Sequence, residues 1–114
     1  MTFDEIEEYG KDFKKLQKKY KTLESDIAIV KKVLAVHAHE LPPFNSRLNG
    51  MKIKTCVIKE RRLACRSIKG AGVQTGLKLV YAHFEDEEKI VFIELYHEDD
   101  KQHEDRERIL KNFK

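Results

Sequence analysis

His97 closes a long apolar run, and histidine is the side chain best suited to carry a proton near neutral pH. Arg66, Lys78 and Lys101 are the cations that could stand beside it and stabilise charge building on a phosphorus centre. This makes His97, Lys78 and Arg66 the candidate catalytic set. Lys52, Lys54, Arg61, Arg62 and Lys69, with Lys101, form a wider basic set that would neutralise several phosphates whatever the chemistry. The expected ligand is a polyanion, RNA first. The plainer alternatives are a strand-terminal histidine with no chemical part and a solvated basic sheet face.

Other constellations are weaker. His37, His39 and Glu40 follow an apolar helical stripe, and His97 and His103 bracket three acids, but no pair has the spacing of a zinc motif, so no metal is expected. Gly70 to Gly76 lacks the Gly-Lys-Ser/Thr ending of a phosphate-binding loop, and no cofactor is expected. Tyr81 and Phe84 could stack on bases, although Tyr81 alternates with Leu77 and Leu79 and reads as core. Nothing gathers a Ser-His-Asp or Cys-His arrangement.

The elements that must position these residues follow from the hydrophobic pattern. Ile6, Tyr9, Phe13, Leu16 and Tyr20 recur at helical spacing, as do Leu23, Ile27, Val30 and Leu34 after an N-cap at Thr22, predicting an antiparallel helical hairpin. Leu41-Pro42-Pro43 is expected to end it. Ile53, Thr55 and Val57 then alternate with Lys52, Lys54 and Cys56. A second strand is expected over about 62–68, with Lys59-Glu60-Arg61 as the intervening turn. Cys56 and Cys65 would face each other across that hairpin.

The eight residues Lys69 to Gly76 hold three glycines and read as a loop. Leu77 to Phe84 and Lys89 to His97 are strand-like, joined by the acidic turn Glu85 to Glu88. Acids at the start and bases at the end of about 102–113 suit a closing helix. A short strand at residues 1–4 completes an α+β domain: a helical hairpin packed on an antiparallel sheet of about four strands, with a C-terminal helix.

The 114 residues suffice for one hydrophobic core, so residues 1–114 are read as a single domain. No apolar stretch is long enough for a membrane helix, and Met1 to Glu5 is acidic where a signal peptide would be basic. A cytoplasmic setting is therefore expected, with Cys56 and Cys65 reduced. The net charge of +3 conceals an asymmetry: Met51 to Phe84 carries eight bases against one acid, whereas Glu85 onward carries eleven acids against six bases. Such blocks point to a basic surface beside an acidic neighbour.

The Lys-rich helical hairpin, the strand Gly76-Leu77-Lys78-Leu79-Val80-Tyr81-Ala82, and Ile90-Val91-Phe92-Ile93-Glu94-Leu95-Tyr96-His97 running into Asp100-Lys101 and the Glu104-to-Ile109 helix resemble the RelE/ParE superfamily of toxins from type II toxin–antitoxin modules. The resemblance implies a sheet face lined with basic residues that holds mRNA in the ribosomal decoding site. It also implies metal-independent cleavage with the RNA 2′-hydroxyl as nucleophile, and a cognate antitoxin protein as partner. Lys78 stands where such toxins usually place an arginine, and lysine lacks the planar fork that grips a phosphate in two places. His97 matches a subgroup that uses a histidine at that strand end. The acids Glu98, Asp99 and Asp100 depart from the usual basic pattern. Together with Lys78 they favour the alternative of a ParE-like inhibitor of DNA gyrase; a catalytically inactive RNA-binding relative is a third, plainer reading.

Overall fold

The computed structural model describes residues 1–36 and 45–114. The element order is β1 (Thr2–Glu5), α1 (Glu7–Lys19), α2 (Leu23–Val36), β2 (Asn45–Arg47), β3 (Cys56–Glu60), β4 (Leu77–Phe84), β5 (Lys89–His97) and α3 (Arg106–Phe113). The α+β class and the predicted helices stand. The sheet is a correction: it has five strands in the order β1-β5-β4-β3-β2, and it is mixed because β1 pairs with β5 in parallel.

Each helix is built as its pattern dictates. α1 carries Glu7 and Glu8 in its first turn and Lys18 and Lys19 in its last, complementing the helix dipole. Its apolar stripe buries Tyr9 and Leu16. α2 starts immediately after Thr22, whose carbonyl accepts the Asp26 N–H, while its hydroxyl is diverted to the Asp26 carboxylate and to Ser67. α3 begins at Arg106, later than the pattern suggested, because the Asp105 carboxylate accepts the Arg108 N–H at 3.0 Å and caps the helix there.

Two cores sandwich the sheet. The hairpin side holds Tyr9, Leu16, Leu23, Ile27, Leu79, Phe92 and Leu95, among others. The opposite side holds Met51, Val57, Val80, Ala82, Ile93 and Ile109, closed by α3 and the chain around Leu48 to Ile53. Covered on both faces, β4 and β5 read as nearly continuous apolar runs, which is why they stand out in the sequence. Where β4 meets β5, Val80 pairs with Glu94 and Tyr81 with Phe92, leaving Ile93 extra. This bulge sends Ile93 and Glu94 to the same side of the sheet, so a carboxylate enters the second core region.

The predicted hairpin over residues 52–68 is overturned. The first strand begins at Cys56, not Ile53, and Lys59-Glu60 lie within it, not in a turn. No strand forms over 62–68; β3 pairs with β2 and β4. The alternation that suggested a strand is real, since Leu63 and Cys65 are buried while Arg62, Ala64 and Arg66 are exposed. The hydrogen bonds go elsewhere: Ser67 N–H to the Thr22 hydroxyl and Arg66 N–H to the Asp26 carboxylate. Cys56 stands opposite His83, so the cysteines do not face each other, and neither is in a disulfide. The end of the helical hairpin at Leu41-Pro42-Pro43 lies outside the described residues. Among those described, no helix is long and apolar enough to cross a membrane.

Candidate functional site

Alternation along the strands sends the two central candidates to opposite faces. Lys78 shares the side of Val80 and Ala82, away from the helical hairpin. His97 lies on the hairpin side, where its ring stacks on Tyr20 with centroids 6.2 Å apart. The His97 Nε2 lies 2.8 Å from the Thr75 carbonyl, and Nδ1 is 3.1 Å from the Asp99 N–H. Since Nδ1 must accept from that N–H, Nε2 carries the proton and donates it to Thr75; both nitrogens are engaged in the neutral ring. Gly76 makes room for this ring. Its φ is +86°, and a Cβ there would fall 2.7 Å from His97 Nε2.

On the other face, three lysines gather at one end of the sheet. Lys59 in β3 and Lys101 after β5 hold their ammonium groups 5.5 and 5.1 Å from the Tyr96 ring centroid. Lys78 is the cross-strand neighbour of Tyr96. The Tyr96 hydroxyl is buried with no hydrogen-bond partner among the described residues. A separate hollow of about 210 Å³ opens on the α1 side of this end of β5, lined by Asp12, Lys15, Leu16, Leu95, Tyr96, Asp100 and Lys101; Lys59 and Lys78 do not line it.

Each lysine meets a carboxylate. Lys59 is 3.1 Å from Glu104, in a pair that is nearly fully buried. Lys101 binds Glu94, which is wholly buried by the bulge and also accepts the Asp105 N–H at 2.8 Å. Lys78 is 3.5 Å from Glu98 and donates to the Arg61 carbonyl at 3.4 Å. Of the three acids only Glu98 has an exposed side chain, at 57%; Lys78 itself is largely covered, and Lys101 is the most exposed of the three lysines. Burial and the nearby Arg108 hold the Lys101 ammonium below its ordinary pKa, against the pull of Asp12, Asp105 and Glu104. Burial would raise Glu104, but hydrogen bonds, notably from Lys59 and Arg106, outweigh it and leave its carboxyl below the usual range.

The remaining predicted cations do not join this cluster. Arg66 turns to the hairpin side, 3.4 Å from Asp26 and bonded to the Ser25 hydroxyl. Arg62 lines a groove beside α2, and Lys69 lies in the loop next to Arg66. Arg61 reaches the Ser46 hydroxyl at 2.5 Å. Lys54 is at the far end of the sheet with Cys56, His83 and the acidic turn, and Lys52 is exposed on the segment leading to it with φ of +50°. The basic run thus divides three ways, and one shared hollow does not form from it.

Tyr81 is fully buried, as its alternation suggested, and Phe84 packs on Phe113. No group of three metal-ligating side chains converges among the described residues; His37, His39 and Glu40 lie outside them. Sequence reasoning missed Lys59, Tyr96, Glu94 and Glu104. Lys59 was assigned to a turn, Tyr96 looked like one more apolar strand residue, and the two glutamates become partners only through the bulge and the chain reversal after His97. Set against protein-family models, curated proteins and solved structures, the chain finds no match in any of the three.

Proposed function

We propose that the chain is the toxin of a type II toxin–antitoxin module, a RelE-like mRNA endoribonuclease that acts on message held in the ribosome and is neutralised by a cognate antitoxin protein. The observation that carries this reading is the cluster of Lys59, Lys78 and Lys101 around Tyr96 at one end of the sheet, on the face turned away from the helical hairpin. The order of helical hairpin, antiparallel strands and closing helix also agrees with it.

The reaction this face suits is an internal transfer. The RNA 2′-oxygen attacks the adjacent phosphorus as its proton passes to solvent water, the bond to the 5′ oxygen breaks and that oxygen takes up a proton, and the products are a 2′,3′-cyclic phosphate and a 5′-hydroxyl. Lys78, released from exposed Glu98, would neutralise the phosphorane. Lys101, with its lowered pKa, is the better proton donor to the departing 5′ oxygen. His97 would take part only after exchanging its bonds to Thr75 and Asp99, and Arg66 acts on the other side of the sheet, outside this step.

A second reading, a ParE-like gyrase inhibitor or an inactive relative, is favoured by one observation: His97 is fully hydrogen-bonded to the backbone and every lysine of the cluster is paired. Incubating the purified protein with translating ribosomes, and separately with gyrase and supercoiled DNA, distinguishes them. Cleaved message, with the rate falling by about 10²-fold or more in Lys78→Ala, is the expected result. Intact message together with gyrase-dependent DNA breaks would select the second reading.

A further inference from the structure

From Lys11 to Lys21 the chain holds six lysines and one acid, Asp12. A helix turns once in about 3.6 residues, so Lys11, Lys14, Lys15, Lys18 and Lys19 fall within an arc of about 140°. That arc lies opposite the stripe that buries Tyr9 and Leu16. All five side chains are exposed, as is Lys21 just past the end of α1.

The acids of α1 are taken up elsewhere. Asp12 binds Arg108 at 2.7 Å and accepts the Leu95 N–H at 3.1 Å, while Glu8 pairs with Lys111. Glu7 reaches Lys11, at 3.8 Å. Among the described residues, Lys14, Lys15, Lys18, Lys19 and Lys21 have no acid within ion-pair distance. Like charges one turn apart, such as Lys14 and Lys18, repel each other, and a polyanion laid along the face relieves that repulsion.

The composition of the face selects the polyanion. Its apolar side is already spent, since Tyr9, Leu16 and Tyr20 belong to the core and Phe13 packs against it. The exposed arc therefore holds no anchor to sink into a bilayer, no apolar contact for a partner helix and no ring on which an unpaired base could stack. Contact with the phosphates of a duplex needs cations alone.

We propose that the outward face of α1 binds the phosphate backbone of double-helical nucleic acid without reading its sequence. The proposal involves neither His97 nor Lys78, and loss of the RNA-cleavage reading leaves it standing.

The test measures binding of the full chain to a fluorescent duplex, prepared once as DNA and once as RNA, over a range of salt. Log affinity falls against log salt with a slope of about −3 to −4, the value for four phosphate contacts; a tighter complex with one duplex names the source. Lys14→Gln/Lys18→Gln loses about tenfold or more and flattens the slope by about two. Arg47→Gln/Lys114→Gln, which removes the same charge from exposed positions elsewhere, loses less than about threefold. Glutamine is nearly as good a helix former as lysine, so α1 persists; should the pair melt early, Lys18→Gln alone and amide shifts mapped along α1 take its place. Unchanged affinity in both α1 variants, an equal loss in the control pair, or a loss confined to a single strand of the same sequence would overturn the proposal. So would polyglutamate or phosphatidylserine vesicles holding the chain at a salt concentration that releases both duplexes.

Discussion

Gly76 illustrates how a single position ties strand geometry to the site. Only a residue without Cβ fits at φ +86° against His97, so Gly76→Ala displaces the ring that both Thr75 and Asp99 hold. We expect destabilisation of more than about 1 kcal/mol in chemical unfolding, and an unchanged midpoint would refute the role assigned to this contact. Glu98 is the opposite case, an exposed acid occupying a cation. Glu98→Gln should tighten binding of single-stranded RNA by about two- to fivefold, the scale of one surface ion pair. Weaker binding would mean that Lys78 does not face the ligand. At this scale the sequence pointed to Lys78 and Lys101 but not to Lys59 or Tyr96. Their neighbourhood is created by strand register, which a local pattern cannot set.

Among the elements, the contact between α2 and the chain over residues 62–68 is the most informative. Burial would raise the Asp26 carboxyl, but hydrogen bonds from Thr22, Cys65 and Arg66 prevail and hold it below its usual range. A carboxylate lowered in the folded state adds stability that is present above its ordinary pKa and is lost as pH falls through the lower folded value. Asp26→Asn should therefore cost about 1–3 kcal/mol at neutral pH and flatten the loss of stability below about pH 4. An Asp26→Asn chain as stable as the parent at pH 7 would contradict the role given to these hydrogen bonds. On the other face, Ile109 of α3 is fully buried against the sheet, and Ile109→Ala should cost about 2–5 kcal/mol in thermal or denaturant unfolding. A cost below about 1 kcal/mol would show that α3 is not integral to the second core.

The same elements explain what could be read in advance. α1 and α2 follow a single apolar stripe each, and β4 and β5 are apolar throughout because both faces are covered, so all four were legible. The 62–68 segment was not, because period-two burial marks an extended chain whether its partner is a strand or a helix terminus. β2 has three residues and no pattern of its own, and the parallel pairing of β1 with β5 depends on the whole hairpin folding back.

Over the whole molecule, the basic middle of the chain does not become one basic face. β3, β4 and the loop between them distribute its cations to both sides and both ends of the sheet, and the acidic C-terminal part supplies Glu94, Glu98 and Glu104 to the lysines that remain together. RNA binding should accordingly show a shallow salt dependence, equivalent to a few phosphate contacts, with a slope that falls by about one in Lys78→Ala. A slope unaffected by that change would place the ligand elsewhere. The most direct test of the account is induced expression of the chain in a bacterial host, with message ends mapped during growth. It predicts growth arrest with new 5′-hydroxyl ends within coding sequences, relieved in Lys78→Ala; unimpaired growth, or arrest with intact messages, would contradict it.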